Sequence, residues 1–539
     1  MKSKFCFILS LIIIMFIFTS GCVEKKTTSS ILDNKTKTNI VYSINEFPED
    51  LLQLNSSSSC DKDILLTLFE GLVKQNENGD LVPGIAESIT EGKDNITYTF
   101  KLRDNAKWYD GKKITAEDFV TFFKDILNPT LKNNYASELY CIFGAQDYNN
   151  GKKSFNGVAI RAVDEKTLEL RLNSPTNSLL QVLSEPVFAL RIIDANLKDW
   201  RNAYKNINYT GPFSLYSIDN STGLTLLKNE NYYDKAEVKS DKLYITTNSS
   251  TENAMASFKN NKINLFLNPP VSEIKNLIIN GEEEAIPVNI GWSLNFNFKK
   301  SGIANNVSFR RALSLAINRE KIAENNLSST VRAAFTYVPK EDSASSQVFN
   351  ANKYIKEEND VTLSKELLSN SRYDKKEKVS FIYLDNDANK RIADALAKNI
   401  KEVLDINIDC KGLNEGDFND FLKNGNFSMA LNEYTSTNND ALSFLEPWIS
   451  TSKSNIFGYN NSQYDDLVFK AKLEGDKQKR SDYIKNGEAI LLNEMPNIPL
   501  FFQNIILCKK SEIKGVYILK EGNVKLDKAY IDDEDSTNN

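Results

Sequence analysis

The stretch from Leu68 to Pro129 leaves the chain least freedom, because every local signal in it agrees. Asn78-Gly79 marks a turn. Ile96, Tyr98, Phe100 and Leu102 alternate with Thr97, Thr99, Lys101 and Arg103, which predicts a strand with one apolar and one polar face. Asp110-Gly111 turns the chain again, and Thr115 with Asp118 reads as a capping-box start to a helix. The helix should bury Phe119, Phe122, Phe123, Ile126 and Leu127 before Asn128-Pro129 stops it. Such a unit constrains fold and says nothing of chemistry.

A chain of 539 residues is too long for one core and implies two or three domains. With 41% hydrophobic and 26% charged residues it reads as globular beyond its N-terminus. A net charge of -6, with Lys and Arg dispersed among Asp and Glu, argues against nucleic acid as a partner. Histidine is absent, which removes catalysis by a His-activated serine or cysteine and imidazole zinc sites. No GxSxG accompanies it, so the expectation is a protein that is not an enzyme and has no cofactor or metal.

Lys2 and Lys4 precede an apolar run from Phe5 to Phe18, followed by Thr19-Ser20-Gly21-Cys22. This is the pattern of a secretory signal over residues 1–21, too short for a membrane span. The end of the run resembles a bacterial lipobox, with Thr19 standing where a larger aliphatic residue is usual. That resemblance implies a diacylglycerol thioether at Cys22, with residues 22–38 as a polar tether beside the membrane. Cys60, Cys141, Cys410 and Cys508 are far apart, which fits either of two states: three possible full pairings, or free thiols. The apolar contexts of Cys410 and Cys508 favour free thiols.

Further along, 155–175 reads as two strands around Asp164-Glu165, and 210–234 as paired strands at Gly223. Leu243 to Thr246 is a further strand and Asn253 to Asn260 a short helix. Ser308 is placed to cap a helix with a stripe of Phe309, Ala312, Leu313, Ala316 and Ile317. Arg310 and Arg311 on it read as a solvated face. VSFIYL (379–384), a helix over 388–404 and INIDC (406–410) form a βαβ unit, and 495–504 a late buried strand.

Three blocks together carry a family resemblance: FEGL (69–72) with GDLVPGIAES (79–88) and YTFKLRDNAKWYDGKKITAEDF (98–119); RRALSLAINRE (310–320); and SMALNEYTSTNNDALSFLEPWIS (428–450). They resemble the peptide-binding proteins of bacterial ABC transporters, the extracellular solute-binding proteins of family 5. The resemblance spans about residues 40 to 525 and implies an α/β, periplasmic-binding-protein-like fold (type II, cluster C) with ligand in an interlobe cleft. It implies lobe I from residues 39–68, 191–289 and 506–530, an inserted lobe II at 69–190, lobe III at 290–505, and an acidic tail at 531–539.

The third block departs from its relatives where ligand is held. Met429-Ala430-Leu431 and Leu442 to Leu445 align with M-A-L-x-G-W-x-A-D-Y-x-D-P-x-S-F-L, whose first Asp takes the peptide's α-ammonium while the strand bonds its backbone. Here Tyr434 replaces Trp, keeping an aromatic wall, and Thr437 replaces that Asp, so a hydroxyl stands where a charge is needed. Thr435 belongs to the backbone-bonding strand, and Glu433 and Asp440 are the nearby carboxylates; Asp440 also matches a turn-capping Asp. Tyr135, Trp292 and Asn295 correspond to the cleft lining. The implied function is extracytoplasmic capture of peptides, most simply oligopeptides, by a lipid-anchored monomer that delivers them to an ABC permease by hinge closure. Two alternatives share the fold: binding of a non-peptide solute, and service as a peptide or pheromone receptor.

Overall fold

The computed structural model describes residues 39–532 apart from 56–57, 177, 220–222, 340–354, 356–358 and 436–439. Its principal strands, in chain order, are β1 (Ile40–Ile44), β2 (Ala86–Glu91), β3 (Thr97–Leu102), β4 (Ile160–Asp164), β5 (Thr167–Arg171), β6 (Phe213–Asp219), β7 (Gly223–Lys228) and β8 (Lys242–Thr247). There follow β9 (Leu265–Leu267), β10 (Glu283–Phe296), β11 (Val331–Ala333), β12 (Val379–Leu384), β13 (Ile408–Leu413), β14 (Met429–Thr435) and β15 (Asn497–Lys509). An 11-stranded sheet runs β13-β12-β14-β10-β15-β9-β1-β8-β7-β6, with β11 also on β15. β2 to β5 form a separate four-stranded sheet in the order β2-β3-β5-β4.

Local chemistry accounts for the best-specified unit. On β3, Tyr98, Phe100 and Leu102 are buried, while the intervening Thr97, Thr99 and Lys101 are half-buried or exposed. Helix α1 (Ala116–Ile126) opens on a complete capping box: Thr115 N donates to Asp118 Oδ2 at 2.7 Å and Asp118 N to Thr115 Oγ1 at 3.3 Å. It buries Phe119, Phe122, Phe123 and Ile126, each contributing about 2 kcal/mol before chain entropy is counted. The paired strands at 160–171 and 213–228 and the parallel β12–β13 crossover also form as their patterns predict.

Helix α2 (Val307–Ala316) corrects two expectations. Its cap is Asn306, whose side chain accepts from Ser308 N and Phe309 N, so Ser308 lies inside the first turn. Arg310 is buried and not on a solvated face. Its Nε donates to Met495 O at 2.9 Å and its Nη1 to Ala304 O at 3.0 Å, and the guanidinium lies 4.9 Å from the Phe298 ring centre. Met495 ends helix α3 (Lys477–Glu494), so Arg310 supplies cationic donors to orphan carbonyls at a helix C-terminus. Arg311 is half-buried. Cys60, Cys141, Cys410 and Cys508 are free thiols, Cys508 buried and Cys410 half-buried.

Two large cores flank one joint. The first unites β1, β3 and α1 and reaches Val288, Ile505 and Leu507; the second begins at Trp292 and Phe501 and takes in β12 and β14. Among the described strands, β10 and β15 run through both. Their ladder pairs 283–287 with 504–508 in the first body and 291–295 with 497–502 in the second, and it breaks register between Pro287 and Gly291. A second irregularity, between Trp292 and Ser293, lies where Ser293 pairs with Pro499. Proline has no amide hydrogen to give a ladder, so it settles beside such breaks.

Candidate functional site

β14 carries an open edge. On one side it pairs with β10 along its whole length, from Phe296↔Met429 to Ile290↔Thr435. On the other, β12 meets it only at Met429 and Ala430. From Leu431 to Thr435 the outward N–H and C=O groups therefore have no neighbouring strand among the described residues, and such an edge can accept an added one.

Antiparallel partners point their side chains to one face, so the register sorts the predicted site residues. Trp292 lies opposite Glu433, on one face. Ser293 lies opposite Asn432 and Gly291 opposite Tyr434, on the other, where Asn295 also falls. Trp292 and Asn295 thus fall on opposite faces of β10, being three positions apart on a strand and of opposite parity.

Glu433 is an exposed residue for which no hydrogen bond or ion pair with a described residue is found. The protein packed around it raises its carboxyl above the ordinary value by desolvation. Trp292 is buried, and its Nε1–H has no partner among the described residues. Asp440 is differently placed. Its Oδ1 accepts from Leu442 N at 3.0 Å, capping the next turn, and its Oδ2 pairs with Arg480 Nη2 at 2.6 Å. Asp440 also lines a polar pocket with Glu446 and Arg480, opposite Thr176 and Ser178 of the first body.

Tyr434 owes its pose to a glycine. A Cβ on Gly291 would overlap the Tyr434 ring, 2.5 Å from its hydroxyl oxygen, so only glycine lets the ring lie across β10. The ring meets Phe444 edge-on with centroids 6.0 Å apart. Together with Tyr337, Trp448 and Phe457 these aromatics wall a pocket of about 450 Å³, open solvent at its mouth included. Ser293, Asn295, Asn432 and Asn497 also line it. Glu488, on α3, fixes Tyr337 by accepting from Tyr337 N at 2.8 Å and Val338 N at 3.1 Å; burial pushes its carboxyl up to about 7.

Tyr135 stands on the first body, where Lys62 Nζ lies 5.7 Å from its ring centre and reaches Glu185 at 3.5 Å. Thr435 contributes backbone to the open edge, while Thr437 falls outside the described residues. Sequence reasoning did not single out Gly291, Arg480, Glu488 or the 444–457 wall. A glycine inside an apolar strand was the one available signal, since it marks a close approach. Among the described residues no group of acidic or cysteine side chains is arranged to hold a metal, and no helix is long and apolar enough to cross a membrane.

Comparison with known proteins bears on the family and the fold. The family described as bacterial extracellular solute-binding proteins, family 5, matches residues 80–455. The oligopeptide-binding protein OppA of Bacillus subtilis (strain 168) is 29% identical, over 97% of this chain and 99% of its own. The probable deoxycholate-binding periplasmic protein YgiS of Escherichia coli (strain K12) is 28% identical over 84% of this chain and 85% of its own. Among solved structures, the unliganded open form of the murein tripeptide-binding protein MppA is similar, with a TM-score of 0.79 at 24% identity, covering 92% of this chain and 97% of that one.

Proposed function

Because the chain belongs to the bacterial extracellular solute-binding proteins of family 5, we propose that it captures peptides outside the cytoplasm and delivers them to an ABC permease. The observation that carries this reading is the open edge of β14 beside an unpartnered carboxylate. A peptide adding to Leu431–Thr435 gains main-chain hydrogen bonds that do not depend on its sequence, and its α-ammonium is taken by Glu433. Asp440 is excluded from that role because Arg480 already neutralises it. Trp292, Asn295, Tyr434 and Thr435 form the second body's share of the site and Tyr135 the first body's. Closure occurs about the β10–β15 joint and brings the bodies onto the ligand. No bond in the peptide is made or broken.

In the same reading lobe II is the insertion at 69–190, lobe III spans 290–505, and lobe I collects 39–68, 191–289 and 506–530. A signal over 1–21 is removed and Cys22 carries the lipid, holding a monomer at the outer face of the membrane by a tether to residue 38. Thr437 in place of an acid favours one second reading, a non-peptide solute, as the name of the E. coli relative suggests for that protein. Native mass spectrometry of the purified protein separates the two. Peptide capture predicts a mixture of short peptides carried through purification; a single non-peptide mass would overturn it.

A further inference from the structure

The pocket beside Tyr434 is more polar than the second core's apolar cluster, which is built mainly of Leu, Ile, Phe and Ala. A polar stripe crosses three strands at its floor: Asn432 on β14, Ser293 and Asn295 on β10, and Asn497 on β15, which lies opposite Asn295. Most of this polarity is spent internally. Asn295 Nδ2 donates to Ser293 O at 3.0 Å and to Ser293 Oγ at 3.1 Å, and the Tyr337 hydroxyl donates to Asn497 O at 2.8 Å. Asn455, at the rim, gives both amide hydrogens to Ile449 O and Tyr459 O.

Among the described residues, two buried polar atoms on lining side chains have no hydrogen-bond partner: Asn497 Oδ1, on a residue only 2% exposed, and Tyr434 Oη. One is an acceptor and the other a hydroxyl able to donate. Buried polar atoms left bare are costly, so their place in a pocket points to an occupant that completes them. No described lining side chain carries a charge, and a buried unpaired charge costs far more than a buried amide.

Resting on the peptide reading above, we propose that this pocket is a specificity site that selects an uncharged, amide-bearing side chain, glutamine or asparagine, from one position of the bound peptide. The side-chain N–H donates to Asn497 Oδ1, the side-chain carbonyl accepts from Tyr434 Oη–H, and the methylenes lie against Phe444, Trp448 and Phe457. A strand added at the edge of β14 projects alternate side chains onto the face that carries Asn432 and Tyr434, so one peptide position is directed here.

The test is calorimetry of the ligand-stripped full chain with pentapeptides of alanine bearing one Gln, Glu or Met at each position in turn. At one position Gln should bind about tenfold tighter than Glu and several-fold tighter than Met. In Tyr434→Phe the preference for Gln over Met should fall below about twofold while Glu is still rejected. Equal affinity for Gln and Glu at every position overturns the pocket assignment and leaves peptide capture standing. Binding of no pentapeptide overturns both. An undiminished Gln preference in Tyr434→Phe overturns the assigned role of the hydroxyl.

Discussion

The two faces of the β10–β14 pair solve opposite problems with the same backbone. On one, Glu433 sits at an open edge with its charge unanswered, next to Trp292. On the other, Asn295 and Ser293 satisfy each other beneath a roof of rings, and charge is absent from the described lining. The first face suits an ammonium, which any peptide with a free N-terminus offers. The second suits a neutral side chain, which only some peptides carry. On the two proposals above, the contrast separates affinity common to all peptides from discrimination among them, within one strand pair.

The largest expected effect comes from breaking the geometry that keeps the faces distinct. Gly291→Ala drives a Cβ into the Tyr434 ring, and either the ring or the strand must move. The variant should lose about 3 kcal/mol in denaturant unfolding and bind amide-bearing peptides no better than plain alanine ones. An unchanged unfolding midpoint with intact discrimination would show that Tyr434 has another place to go.

Glu433→Gln addresses the charged face alone. Affinity for free-amine peptides should fall about 30-fold, about 2 kcal/mol, while N-acetylated peptides bind as they do to the unsubstituted protein. A pH series sharpens this. The ammonium needs the carboxylate form, and desolvation has raised the Glu433 carboxyl above its ordinary value. Affinity for free-amine peptides should therefore weaken as pH falls, beginning above the range of an ordinary glutamate, and the dependence should vanish in Glu433→Gln. A pH profile identical in both proteins would place the amine contact elsewhere.

Asp440→Asn should do least. It removes half of the pair with Arg480 but keeps an oxygen to cap Leu442 N, so about 1 kcal/mol of stability is at stake and peptide affinity should stay within about twofold. A large loss of free-amine binding here, with Glu433→Gln silent, would exchange the roles of the two acids.

What could be read from the chain, and what could not, divides along physical lines. Tyr98, Phe100 and Leu102, the Thr115–Asp118 box and the α1 stripe were legible because each depends on residues a few positions apart. Arg310 was misread because what buries it, the end of α3, arrives 184 residues later. Asp440 looked free for the same reason, its partner Arg480 being 40 residues on. The likeness to peptide-binding relatives brought Trp292 and Asn295 to notice together, but only register shows that a strand turns them apart. Gly291 carried a signal that gained meaning only once Tyr434 was seen lying on it.

The passage of β10 and β15 through both bodies has one more consequence. Two hydrogen-bonded strands make a ribbon that bends most easily where its ladder is interrupted. In the closure proposed above, the break between Pro287 and Gly291 is where the ribbon bends. If closure is as proposed, every ligand draws on the same open-to-closed equilibrium, and its apparent dissociation constant contains the same factor, the fraction of molecules competent to close. Substitutions at 288–290 should multiply all affinities alike and leave their rank order to the faces of β14.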